Sequence, residues 1–165
     1  MSDVLQLNGL SEPLLRQLSY KSKLGKSLKK NLHYFDKNSL LAELLSYRNW
    51  LFYNDHILDL TIDFRIKSEE SIINKYDRYY PDRQTGKTFN DIIGMRAFCD
   101  NYDDVLNLKS SIFRIADMTH GKSIDDGYRG VHVYYQVDHF HYPIEIQFNT
   151  LFDRQLNNWL HDYII

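Results

Sequence analysis

The sequence contains one cysteine, Cys99, in 165 residues. That excludes a disulfide framework and a zinc site built from cysteines. It has no run of about 18 apolar residues, so no segment is expected to span a membrane. The N-terminus (MSDVLQLNGL) lacks the basic start and long apolar run of a signal peptide, which makes the cytoplasm the expected location. Glycine and proline are sparse, at 7 and 3. No low-complexity tract interrupts the chain, and its 43% hydrophobic and 15% aromatic content excludes a disordered polypeptide. The length suits one domain with a real core. Charge of one sign is also missing. The formal net charge is −2, a total that by itself argues against a nucleic-acid partner.

The partition of that charge tells a different story. Residues 1–50 hold 8 Lys+Arg against 4 Asp+Glu, and residues 51–165 hold 12 against 18. Lys21, Lys23, Lys26, Lys29 and Lys30 fall in ten residues without an acid. On a helix, Lys23, Lys26 and Lys30 form a stripe suited to a phosphate backbone. The plain alternative is a solvated helix face. The chain therefore divides into a basic, helical N-terminal segment, 1–38, and a core, 39–165, within a single domain.

Periodicity sets the elements. Ser11 and Pro13 open a helix carrying Leu14, Leu15 and Leu18. Asn38 or Ser39 caps a helix over LLAELLSYRNWLFYN. In DLTIDFRIK, Leu60, Ile62, Phe64 and Ile66 alternate with polar residues, as in a half-buried strand. Ser68 caps the next helix, with Glu69 and Glu70 in its first turn. Residues 79–90 read as a loop, DIIGMRAFC as a strand and 103–116 as an amphipathic helix. HGKSIDDGYRG is a second loop. VHVYYQV and YPIEIQFN form a hairpin across DHFH, and Thr150 caps a last helix. Ile164 and Ile165 suggest that this helix continues past the chain. The fold class is α+β (α/β), a mixed central sheet flanked by helices.

Several chemistry-bearing residues fall on successive strands. Arg65 and Lys67 share a strand face, and Lys75 follows two helical turns later. Asp91 opens the second strand and Arg96 lies along it. Tyr128, Arg129 and His132 lead into the third, and Glu145 and Gln147 project together from the fourth. On neighbouring strands, two carboxylates would meet a fan of Arg and Lys. Phosphate chains need such cations, and Mg²⁺ needs one or two carboxylate oxygens besides phosphate oxygens. Phosphoryl transfer then asks for positioning and charge stabilisation. Singly, each residue reads as an ordinary surface or capping group, and the coincidence favours a site.

The blocks R65-I-K67-S68-x-x-S71-I-x-x-K75, D91-x-x-G94-x-R96, G127-Y128-R129-x-x-H132 and E145-I-Q147-x-x-T150 resemble, in order and spacing, the synthetase domain of RelA/SpoT homologues. The likeness covers about residues 40–161. It implies a nucleotidyltransferase-like fold and transfer of pyrophosphate from ATP to a ribose 3′-hydroxyl. Asp91 would hold Mg²⁺, with Glu145 completing the metal site or assisting the acceptor hydroxyl. Arg65, Lys67, Ser71, Lys75 and Arg96 would hold ATP. Tyr128 would stack on the acceptor base, Arg129 and His132 would contact phosphates, and Gln147 would position the ribose.

Some features depart from the family. Asn149 stands where housekeeping synthetases carry Arg. The loop before Tyr128 is reduced, and the last helix follows the family pattern loosely. These features belong to the side that receives GDP or GTP. With the expected absence of hydrolase and regulatory regions, the chain looks like the toxic small alarmone synthetases, which are encoded with a neutralising antitoxin. Some of those modify the 3′-CCA end of tRNA. Lys26, Lys29, Lys30 and Arg114 would then grip the tRNA acceptor stem. A synthetase of guanosine or adenosine alarmones, with GDP or GTP as the usual acceptor, is the first rival. A nucleotidyltransferase lacks support, because no Asp-x-Asp occurs in the chain. A non-catalytic RNA-binding module has no need of both Asp91 and Glu145. His139 and His141 read as turn residues rather than metal ligands.

Overall fold

The computed structural model describes residues 3–108 and 112–163. Five strands form one mixed sheet: β1 (Phe64–Ile66), β2 (Ile93–Phe98), β3 (Phe113–Met118), β4 (Gly130–Tyr135) and β5 (Ile144–Asn149). Their spatial order is β1-β2-β5-β4-β3. Only β2 and β5 run parallel; the other pairs are antiparallel. The helices are α1 (Asp3–Leu7), α2 (Glu12–Gln17), α3 (Lys37–Phe52), α4 (Glu69–Tyr79), α5 (Thr85–Thr88), α6 (Asp103–Leu106) and α7 (Leu151–Tyr163). The α+β class expected from the sequence is what the structure shows.

Alternation along the central strands separates two faces. Ile93, Met95 and Ala97 of β2, Val131, Val133 and Tyr135 of β4, and Ile144, Ile146 and Phe148 of β5 are fully buried. They share one core with Leu40, Leu44, Tyr47 and Leu51 of α3. Burying a side chain of this size contributes on the order of 2 kcal/mol, so this face fixes which residues the other face presents.

The helix starts follow the capping chemistry read from the sequence. Ser11 accepts from the Leu14 amide, and Ser68 from the Ser71 amide. Asp153 N–H donates to Thr150 Oγ1 at 3.2 Å. For α3 the cap is Asp36 rather than Asn38 or Ser39; its carboxylate accepts from both the amide and the hydroxyl of Ser39. The first predicted strand shrinks to Phe64–Ile66, because β1 is an edge strand with one partner. A 3₁₀ turn, Asp55–Asp59, precedes it.

Three further expectations are corrected. Residues 79–90, expected as a loop, hold the short helix α5. The lysine-rich stretch 21–30 is not helical. Its amides are spent on distant partners: Ser22 donates to the Phe140 carbonyl and Leu28 to the His139 carbonyl, both at 2.7 Å. Gly25, at φ +73°, breaks any helical path. The stripe at Lys23, Lys26 and Lys30 therefore does not form. The predicted helix 103–116 ends at Leu106, and Phe113–Met118 is strand β3. Arg114 thus lies on a strand, not on a helix. Its segment alternates apolar and polar residues closely enough to serve either period, and pairing with β4 decides the outcome. Ile164 and Ile165 lie outside the described residues.

Candidate active site

Cross-strand register assembles the site. On the open face one row runs through all five strands: Arg65–Gly94–Glu145–Tyr134–Arg114. A second row runs Arg96–Gln147–His132–Ala116. Strand spacing is about 4.8 Å, so neighbours in a row are in side-chain reach. A cleft of about 470 Å³ opens over the β1–β2–β5 end, lined by Asp63, Phe64, Arg65, Lys67, Asp91, Gly94, Met95, Arg96, Glu145 and Gln147. Gly94 lacks the side chain that would stand between Arg65 and Glu145 in the row.

Asp91 lies just before β2, where the Lys67 amide donates to the Ile92 carbonyl at 2.8 Å. Its two oxygens face Lys67 Nζ and Lys75 Nζ, each at 3.1 Å. Lys75 reaches it from α4. Arg48 Nε donates to the Lys67 carbonyl and fixes the strand end. Two ammonium groups on one carboxylate leave a local surplus of positive charge. Ser71 sits in the first turn of α4, where its hydroxyl accepts from Ser68 Oγ at 2.9 Å, outside the cleft lining.

Glu145 is buried. Its Oε1 accepts from Gln147 Nε2 at 2.8 Å, and its Oε2 from the Tyr134 hydroxyl at 2.9 Å. Burial raises its proton affinity, while those hydrogen bonds hold the charged form. His132 Nδ1 lies 3.8 Å from Glu145 Oε2. Burial pushes the His132 imidazole down to about 4, so it is neutral at pH 7. Burial pushes the Tyr128 hydroxyl up to about 12, which keeps it a donor, and it meets His132 Nε2 at 2.7 Å. Tyr128, His132, Glu145 and Gln147 thus form one polar chain across the sheet.

The loop before β4 is held from α7 and β5. Asn149 Nδ2 and Asn157 Nδ2 both donate to the Arg129 carbonyl, at 2.8 and 2.9 Å. A Cβ at Gly130 would come within 2.6 Å of Asn149 Nδ2 and 2.9 Å of the Tyr128 hydroxyl. Asn149 is fully buried and reaches the loop backbone. The Arg129 guanidinium faces Asp125 at 2.9 Å and the Tyr128 carbonyl at 2.8 Å.

The basic residues separate. Lys29 and Arg114 line a second cavity of about 510 Å³, together with Lys87, Tyr134, Gln136 and His139. Lys26 instead donates to the Tyr34 carbonyl at 2.6 Å, and Lys30 lies over the Tyr34 ring. Four residues of interest carried no recognised signal in the sequence: Lys87, Tyr134, Arg154 and Asn157. Arg154 Nε and Nη2 are buried without a hydrogen-bond partner among the described residues, with the guanidinium over the Phe98 ring. The available clue is its place four residues after Thr150, in the first turns of α7. Histidine 141 pairs with Asp138 at 2.7 Å, and among the described residues no cluster of His, Cys, Asp and Glu has the arrangement of a metal cage. None of the described helices is long and apolar enough to cross a membrane.

A family profile for the region found in RelA/SpoT proteins matches residues 64–163. The chain belongs to the RelA/SpoT family. It is accordingly an ATP-dependent pyrophosphotransferase of the alarmone-synthetase group. Among solved structures it is similar to the small alarmone synthetase 1 of Bacillus subtilis bound to its product pppGpp. The identity is 26%, over 78% of this chain and 76% of that one, with a TM-score of 0.44. The same enzyme bound to AMPCPP matches at 26% identity, over 76% of this chain and 70% of that one, with a TM-score of 0.38. The small alarmone synthetase 2 of Bacillus subtilis matches at 23% identity, over 73% and 77%, with a TM-score of 0.46. No curated protein sequence matches the chain.

Proposed function

We propose that this RelA/SpoT-family protein transfers pyrophosphate from ATP to the ribose 3′-hydroxyl at the 3′-CCA end of tRNA. Aminoacylation, and with it translation, is thereby blocked, and the protein acts as the toxin of a toxin–antitoxin pair. The observation that carries this reading is the second cavity. It places Lys29, Lys87 and Arg114 beside the cleft, across Tyr134. A nucleoside di- or triphosphate concentrates its phosphates at one point, whereas a polynucleotide carries them along its chain, a pattern that suits cations spread over a second cavity.

Chemically, the acceptor 3′-oxygen attacks the β-phosphorus of ATP. The bond from that phosphorus to the α,β-bridging oxygen breaks, AMP leaves, and the acceptor gains a pyrophosphoryl group. Arg65, Lys67, Lys75 and Arg96 hold the phosphate chain, with Ser71 at the α4 start nearby. Glu145 orients the 3′-hydroxyl and accepts its proton, Gln147 holds one oxygen of that carboxylate, and the neutral His132 stands beside it. Tyr128 provides a stacking surface for the acceptor base, a contact worth about 1–3 kcal/mol per base. Arg129 and Asn149 shape its loop. The donor set fits Mg²⁺: hard carboxylate oxygens, with Asp91 already among cations that phosphate would draw away. Asp91 would hold the ion, which supplies charge neutralisation on the phosphates.

Incubation with γ-labelled ATP and either deacylated tRNA or GDP tests the reading. Label on tRNA alone supports it, and label on GDP alone refutes it. Family membership favours that second reading, an alarmone synthetase with GDP, GTP or an adenosine nucleotide as acceptor.

A further inference from the structure

Tyr134 is not explained by the roles assigned so far. Its register partners are Glu145 on β5 and Arg114 on β3, so it stands between those two in the five-strand row. Its hydroxyl donates to Glu145 Oε2 at 2.9 Å. The Arg114 guanidinium carbon lies over its ring, 4.3 Å from the centroid. The same ring lines the second cavity, while Glu145 lines the cleft. One side chain therefore touches a cation of one site and the carboxylate of the other.

The physical consequences follow from those contacts. A buried carboxylate has several rotamers, and Gln147 alone restrains one oxygen of Glu145. The Tyr134 hydroxyl restrains the other. A phenol hydroxyl facing a carboxylate oxygen at that distance acts as the donor. The stacked guanidinium in turn restrains the ring. A phosphate drawn to Arg114 would pull on the group that packs on Tyr134.

We propose that Tyr134 is a positioning residue: its hydroxyl fixes Glu145 from the side opposite Gln147. Arg114 on its ring makes that hold respond to what occupies the second cavity. The proposal deepens the function given above and rests on Glu145 acting on the acceptor hydroxyl. It assigns the second cavity a part in setting the rate as well as in affinity.

The test compares Tyr134→Phe, Arg114→Met, Arg114→Lys and Lys87→Ala. Removing the hydroxyl alone should lower kcat about tenfold while KM for ATP stays within twofold. Arg114→Met should raise KM for the acceptor and also lower kcat at saturating acceptor. Arg114→Lys should recover most of that kcat. Lys87, which among the described residues shares no hydrogen bond or cation–π contact with Tyr134, should affect acceptor KM only. Wild-type kcat in Tyr134→Phe overturns the proposal, and so does a kcat in Arg114→Met equal to that of Lys87→Ala. A second measurement needs no turnover. Carbodiimide labelling of Glu145 in the free protein, read by peptide mass spectrometry with Glu145→Gln as blank, should speed up several-fold in Tyr134→Phe. Equal labelling rates overturn the positioning role whether or not any acceptor is modified. Failure of the functional reading would show separately, as a wild-type protein that labels no tRNA.

Discussion

Glu43 on α3 offers a quantitative test of how the N-terminal segment is held. Its carboxylate is buried and accepts three hydrogen bonds: from Ser22 Oγ at 2.7 Å, from the Lys23 amide at 2.6 Å and from the Tyr142 hydroxyl at 2.6 Å. The segment before α3 and the hairpin before β5 are thus tied to one side chain. Hydrogen bonds to a charged acceptor contribute about 1.5–3 kcal/mol each. Glu43→Gln keeps the shape but offers one acceptor oxygen. With that oxygen on the Lys23 amide, the new NH₂ meets two hydroxyls, which can rotate to accept at reduced strength. The reverse orientation sets the NH₂ against the Lys23 N–H and is worse. The net loss is about 2–3 kcal/mol, since removing a buried charge also relieves part of its desolvation. For a domain of this size that lowers Tm by about 5–10 °C. Urea and thermal unfolding of both proteins measure it. A change below about 0.5 kcal/mol would show that burying the charge costs as much as its hydrogen bonds return, and the reasoning would fail.

Further outcomes are expected elsewhere. Asp91→Asn should abolish pyrophosphate transfer to any acceptor, checked with γ-labelled ATP, because it removes the carboxylate shared by Lys67 and Lys75. Gly130→Ala should sharply lower activity without unfolding the chain, since its Cβ would displace Asn149 and the Tyr128 hydroxyl; circular dichroism and the transfer assay separate the two effects. His132 is held neutral down to about pH 4, whereas the unfolded chain takes up that proton near pH 6.5. Its contribution therefore lowers stability as pH falls from 6.5 towards 4, by about 2 kcal/mol between pH 7 and pH 5. Urea unfolding of His132→Asn should show a loss smaller by that amount. Burial pushes the Cys99 thiol up to about 11, so in the native protein at pH 8 it should react with a thiol reagent about a hundredfold more slowly than in urea.

Much of the site was legible in the sequence because it lies on a strand scaffold of period two. Glu145 with Gln147, and Arg65 with Lys67, were placed from alternation alone, and a core of Ile, Val and Phe on the opposite face leaves those positions little choice. Capping chemistry at Ser11, Ser68 and Thr150 was equally local, since each cap is completed within a few residues. The lysines at 21–30 show the opposite case. Their spacing suits a helix, but the amides of Ser22 and Leu28 find carbonyls on a hairpin more than a hundred residues later. The segment around Arg114 carries both periods, so its spacing also suits a helix, and the edge of β4 selects the strand.

The sequence by itself therefore determined the class of fold, the polar strand faces and the cationic and acidic residues along them. It also determined that the charge is divided, because these follow from side-chain chemistry and spacing along one element. Only the tertiary structure decided which cations share a cavity: Lys29 with Lys87 and Arg114, while Lys26 and Lys30 turn to Tyr34. It alone set Tyr134 between Arg114 and Glu145. Those juxtapositions depend on strand order and register, which arise when the apolar faces of distant segments are buried together and their backbone groups must all find partners.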